Sequence, residues 1–398
     1  MLYDQTKHET LTSTLWNERV ARETIHKILK DTDTSFSRTT FWKRHPSDRE
    51  SNPNDPPMTS LFNGASSTAW SLLDLKEKGY APEYQNDYLT ALEPIYKSYL
   101  ETPDSGDKVP GYLFGETGIL TVIERFHPNS KYLTSLLESI QHTITRPENE
   151  LMWAAPGTLI AAQLLFERSG HTKYIPLIKN SAEHILKEWK FDSDEQFYIW
   201  TQDLYGSKNK YLGGVHGFAG NVLSLLKAMP HLNSEQQKFI LEKSIETLIK
   251  TSFTENDLTN WPPHKNATKQ LTQWCHGAPG IITSFGDYPK NHSADLDLIL
   301  LQAAELVWKS GPLLKPFGLC HGTAGNGYAL LKMFTRTQDE KWLTRARSFA
   351  MHAIEQSNKC AKDYGRYRHE LFTGDLGLAQ YLSSCLQHDS AWPLIDTL

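Results

Sequence analysis

Apolar and polar positions along the chain fall into two alternating patterns. In the first, a turn of small residues is followed by a stretch that is apolar on nearly every side. The turns stand at Gly64-Ala65-Ser66-Ser67, Gly115-Glu116-Thr117-Gly118, Ala154-Ala155-Pro156-Gly157, Gly217-Phe218-Ala219-Gly220, Gly277-Ala278-Pro279-Gly280, Gly322-Thr323-Ala324-Gly325 and Gly374-Asp375-Leu376-Gly377. Segments such as Thr158 to Phe166 and Tyr328 to Phe334, which follow them, read as helices buried on most faces. In the second pattern, apolar residues recur every three or four positions with charges between them, as in Gln236 to Lys250 and Leu343 to Gln356. These read as amphipathic helices with one face in water. Strand signals are sparse, and only Phe191 to Thr201 suggests a local hairpin.

Inner helices separated by one returning outer helix run parallel, so seven of each close into an all-α, α/α toroid (a double helical barrel) with all seven turns around one mouth. Glycine suits such a place because it lets backbones approach closely and accepts positive φ. Helix amino termini would direct partial positive charge there. Packing alone also accounts for glycines in the first three turns and the last. Residues 1–57 fit the repeat less well: Leu15 to Leu29 can form an amphipathic helix and Ser47 to Pro57 reads as an exposed loop. They are assigned as an N-terminal helical and loop appendage, and residues 58–398 as the toroid.

The 398 residues, 39% of them hydrophobic, suffice for a large core, and the net charge of −5 with no basic cluster argues against nucleic acid or an anionic membrane as partner. No run approaches the length of a membrane span, and Met1 to Asn17 lacks the apolar core of a signal peptide, so a cytoplasmic location is expected. Four cysteines, Cys275, Cys320, Cys360 and Cys385, suit reduced thiols rather than a disulfide framework.

Two of them mark the chemistry. Trp274-Cys275-His276-Gly277-Ala278-Pro279-Gly280 and Leu319-Cys320-His321-Gly322-Thr323-Ala324-Gly325 read as two copies of one element. If neighbouring turns sit side by side, Cys275, Cys320 and His321 can share a zinc ion, with a fourth position left for chemistry. His276 is a rival ligand or a supporting group. Cys360 or Cys385 would close a purely structural site, but both lie in helical stretches where a cysteine is ordinarily a small buried apolar residue. His216 occupies the matching edge of the fourth turn and is a candidate acid/base, or else a buried histidine satisfied by the backbone.

These motifs, with Val215-His216-Gly217 and Leu371 to Gly377, resemble the lanthionine synthetase C-like family from about residue 60 onward. The resemblance implies nested helical rings and a catalytic zinc on Cys275, Cys320 and His321. It also implies a proton donor at His216 and addition of a thiol to dehydroalanine or dehydrobutyrine. The thiol is glutathione in some members and a peptide cysteine in others, and the acceptor is a dehydrated or phosphorylated peptide or protein. The arginine that cyclases carry four residues before the first zinc cysteine is Leu271 here, whereas the lysine of glutathione-adding members is matched by Lys315. The glutamate of the last turn is replaced by Thr373, two residues before Asp375. Two other classes compete: a non-catalytic zinc-containing adaptor that binds glutathione or peptide, and a carbohydrate-active toroid. The latter needs paired carboxylates in the mouth, where the turns offer only Glu116 and Asp375.

Overall fold

In the computed structural model, which describes residues 2–48, 55–81, 83–264, 267–315 and 317–398, the repeat becomes two nested rings of helices. The chain enters through α1 (Glu18–Thr34) and then pairs each inner helix with the outer helix that follows it. The pairs are α2 (Ala65–Glu77) with α3 (Leu92–Glu101), α4 (Glu116–Phe126) with α5 (Leu133–Thr143), and α6 (Ala155–Ser169) with α7 (Ile175–Glu188). They continue with α8 (Phe218–Ala228) and α9 (Ser234–Lys250), α10 (Ala278–Phe285) and α11 (Ala294–Ser310), then α12 (Thr323–Thr337) and α13 (Glu340–Tyr364), before α14 (Asp375–Gln387) ends the ring. Each inner helix packs on the next, and α14 packs on α2, so the inner ring closes. Helix α1 lies in the region read as an appendage; it packs along α14 and touches α13, as the outer partner of the last inner helix. The Arg49–Asn54 part of the expected exposed loop lies outside the described residues.

Burial separates the two rings as the patterning requires. All eight residues of α10 are buried, whereas α9 buries only Ile240, Ser244, Thr247 and Leu248, one stripe at helical spacing. Their amino termini differ too. Outer helices use polar side chains, as in the capping box of Asn233 and Gln236 at α9. Inner helices begin at Gly64, Gly115, Ala154, Gly217, Gly277, Gly322 and Gly374 with no side-chain cap. In most of them a free N–H of the first turn instead donates to a carbonyl seven residues back in the preceding loop, for example Phe218 to Tyr211 (2.9 Å) and Ala324 to Phe317 (3.1 Å), whereas Ala278 of α10 donates to the Asn260 side chain (2.8 Å). The helix ends expected to face the mouth as positive poles are therefore partly satisfied by the loops themselves. That curl brings the third helical residue against the loop, and a Cβ at Gly325 would collide with the Leu319 carbonyl.

Among the described residues three short antiparallel hairpins decorate the loops: β1 (Lys190–Asp192) with β2 (Phe197–Ile199), β3 (Gln202–Leu204) with β4 (Ser207–Asn209), and β5 (Phe253–Glu255) with β6 (Leu258–Asn260). The first falls in the expected segment. The other two turn at Tyr205-Gly206 and Asn256-Asp257, all four residues with positive φ.

The tail after α14 runs inside the inner ring. Tyr112, at the entry of α4, donates to the Leu394 carbonyl (2.6 Å), Lys227 of α8 and Lys332 of α12 pair with Asp396 (2.7 and 3.0 Å), and Arg125 donates to the Leu398 carbonyl (2.9 Å). A segment held at once by α4, α8 and α12 lies across the middle of the ring. Its Trp392 stacks on Trp274, beside Cys275, at 4.6 Å.

Candidate metal centre

The turns are bonded to one another through their backbones. Phe62 N–H donates to the Leu113 carbonyl (2.8 Å), Leu113 to Met152 (3.2 Å) and Leu151 to Val215 (3.2 Å); on the other side Cys275 donates to Cys320 (3.3 Å) and Cys320 to Phe372 (2.8 Å). Cys275 and Cys320, 45 positions apart in sequence, are thus direct neighbours. One ligand atom from each of Cys275, Cys320 and His321 lies within 4.8 Å of the others. Tetrahedral coordination at Zn–S of about 2.3 Å separates donors by about 3.7 Å, so small side-chain adjustments bring this trio onto one ion.

The charge of the trio also fits a cation. A hydrogen bond from Cys320 outweighs burial and, with His321 and His276, holds the Cys275 thiol well below its ordinary value; the resulting thiolate pushes buried Cys320 well above. The downward direction at Cys275 favours an anionic sulfur, which suits a divalent ion at this place. Gln273 Nε2 donates to Cys275 Sγ at 2.9 Å, a second support for negative sulfur.

His216 opens on the same cavity, its Nδ1 3.0 Å from Glu150 Oε2. Glu150 is fully buried, and its other oxygen accepts the Trp153 N–H at 2.7 Å. Burial alone would lower the His216 pKa, but the bond and charge of Glu150, with Cys275, raise it above its ordinary value. Nδ1 is committed to Glu150, which leaves Nε2 for the cavity. Glu150 carries no motif of its own and went unrecognised in the sequence; its only signal is its place, just ahead of the third turn. His276 packs 5.8 Å from the His216 ring, and burial lowers its pKa. The cavity, about 680 Å³, takes in His216, Cys275, Cys320 and His321.

The lanthionine synthetase C-like family model matches residues 2–154 and 104–397, nearly the whole chain. The chain belongs to this family. A "Glutathione S-transferase LANCL1" from Danio rerio is 27% identical over 69% of this chain and 71% of its own length. A "LanC-like protein GCL1" from Arabidopsis thaliana is 32% identical over 42% of this chain and 39% of its own length. Among solved structures "Nisin cyclase" superposes with a TM-score of 0.63 at 16% identity, covering 92% of this chain and 94% of that one, which shows a shared fold.

In this lanthionine synthetase C-like chain the remaining candidates lie outside the cysteine cavity. Lys315 is exposed and lines a neighbouring cavity of about 320 Å³ with Lys359, Cys360 and Arg368, close enough for its charge to act on Cys320. Thr373 donates to Glu370 Oε2 at 2.6 Å, and Arg368 donates to the same oxygen at 2.7 Å, so a carboxylate does stand beside the substituted position. Burial, only partly countered by Arg368, pushes Glu370 up to about 7. Asp375 is buried at the start of α14 and accepts the Arg368 N–H at 2.6 Å and the Ser357 hydroxyl at 2.5 Å. Glu116 is taken up by Tyr96 and Lys108 (2.5 and 2.8 Å), so neither turn carboxylate faces the cavity as a glycosidase pair would require. Half-buried Leu271 leaves no cation at its position, and Cys360 and Cys385 sit in α13 and α14, apart from the trio. No helix among the described residues is long and apolar enough to cross a membrane.

Proposed function

We propose that the chain catalyses zinc-dependent addition of a thiol to dehydroalanine or dehydrobutyrine in a peptide or protein, forming a thioether, with glutathione as the favoured thiol. The observation that supports this most directly is the convergence of Cys275, Cys320 and His321 with His216 in one cavity. A zinc ion held by the trio would supply Lewis acidity that keeps a donor thiol deprotonated at neutral pH. The sulfur then bonds to the β-carbon while the alkene electron pair moves towards the α-carbon and its carbonyl. His216 delivers the missing proton to the α-carbon from Nε2, and Glu150 steadies the imidazolium from Nδ1. The thiol's proton balances the one delivered. His276, packed beside His216, supports the substrate side of the ring. Lys315 holds a carboxylate of the thiol donor, or a departing phosphate, from the adjoining cavity.

The test is to incubate zinc-loaded protein with a dehydroalanine peptide, with and without glutathione, and follow mass. A glutathione-sized increase is expected. An unchanged mass with a newly blocked cysteine on a cysteine-bearing peptide marks cyclisation instead. Neither product leaves the adaptor role, in which loss of His216 has no effect on function in cells.

A further inference from the structure

The residue immediately before each inner-helix N-cap occupies an equivalent place around the mouth. In ring order these are Asn63, Phe114, Trp153, His216, His276, His321 and Thr373. The ring of positions is divided: three successive imidazoles stand on one side and two successive aromatic rings on the other. Phe114 and Trp153 are half-buried, as is Phe62 beside them, so each keeps a face towards the cavity. They form a connected run, Phe62 to Phe114 at 6.4 Å and Phe114 to Trp153 at 5.2 Å. Trp153 Nε1 then donates to the Tyr205 hydroxyl at 3.4 Å, on the tip of the β3–β4 hairpin, where Tyr205 is 78% exposed.

Charge narrows what this shelf accepts. Of the cationic groups that line the cavity, Arg146 is bonded to Glu148 (Nε to Oε2, 3.1 Å) and His216 to Glu150 (3.0 Å), and Asp203 adds negative charge. Turns three and four are bonded through Leu151 and Val215, so Trp153 stands next to His216. His216 and Trp153 line the same cavity, which puts the Trp153 face within reach of the side chain next to an α-carbon at His216.

Resting on the thioether-forming reading above, we propose that the acceptor is a peptide with a large apolar or aromatic, non-acidic residue flanking the reacting one, held on the shelf of Phe114, Trp153 and Tyr205. The test compares short dehydroalanine peptides flanked by phenylalanine, glycine or aspartate, with glutathione as thiol, alongside the same peptides carrying alanine in place of dehydroalanine. The phenylalanine acceptor should be used about tenfold more efficiently than the glycine one, through KM, with aspartate poorest. The alanine peptides should show the same order in binding titrations. Trp153→Ala and Tyr205→Asn should bring the phenylalanine-to-glycine ratio close to one. Tyr205→Asn keeps the fold, because asparagine accepts the φ of 53° at this exposed tip. Equal use of all three peptides, or a preference that survives both substitutions, overturns the proposal. If no peptide forms a thioether but the alanine peptides bind in the expected order, the chemistry fails and the shelf stands. Thioether formation without a flank preference sinks the shelf alone.

Discussion

Replacing Glu150 by glutamine removes one charge at constant shape and asks whether His216 acts as an imidazolium. The Trp153 N–H needs an acceptor, so the glutamine oxygen remains there and its NH₂ turns to His216 Nδ1. A donor now faces Nδ1, which must stay unprotonated, and the proton-bearing form of the ring loses its partner. A hydrogen bond between charged groups is worth about 1.5–3 kcal/mol, and about 1.4 kcal/mol corresponds to tenfold in rate, so Glu150→Gln should slow thioether formation about 10- to 100-fold at neutral pH. The sign follows from the raised His216 pKa: the protonated ring persists above its ordinary value and activity is lost as pH rises through the raised one. In the variant that decline should begin at lower pH. The assay is the rate of glutathione addition to a dehydroalanine peptide, followed by mass across the pH range, with a thermal melt to verify folding. A folded variant with the wild-type rate and an unmoved basic limb would refute the reasoning.

Elemental analysis should find one zinc per chain, near none after Cys275→Ala or Cys320→Ala, and about tenfold weaker binding after Gln273→Ala, which removes the amide on Cys275. Gly325→Ala should cost about 1–3 kcal/mol in a urea melt, because the new Cβ meets the Leu319 carbonyl. Asp396→Asn leaves Lys227 without its partner and Lys332 with Asp287 alone, and should cost about 3 kcal/mol, the lower end for breaking a buried pair. Burial raises the Asp396 pKa, yet Lys227 and Lys332 bring it well below the carboxylate range. Its stabilising share is therefore present above the unfolded carboxyl value and lost as pH falls through the folded one. Urea midpoints of the variant should be correspondingly flatter on the acid side.

The ring could be read from sequence because each inner helix has a small residue at its N-cap and, in all but α2 with its Ser67, glycine where the loop carbonyl presses in, and those demands leave a repeated signature. Cys275 and Cys320 were legible for the same reason: copies of one motif imply equivalent places. Glu150 was not, since it lies 66 positions from His216 and nothing local marks a carboxylate as an orienting partner. The β3–β4 hairpin escaped notice because strands of three residues have no alternation to show, although Tyr205-Gly206 could have hinted at the turn. Lys315 follows the motif in sequence, yet its exposed side chain lines the adjoining cavity, and sequence spacing cannot tell one cavity from the next. The path of the tail was invisible too, because Asp396 gains its meaning only from Lys227 and Lys332 on distant helices.

That tail stoppers the axis of the toroid. Leu394, Ile395 and Leu398 are buried inside the ring, where the tail occupies space that a through-channel would need. Under the proposed thioether chemistry, a thiol bound at Cys275 and Cys320 would enter through the cavity mouth ahead of a bulky acceptor. For the proposed reaction, a tail threaded through the ring favours ordered binding with the small partner leading.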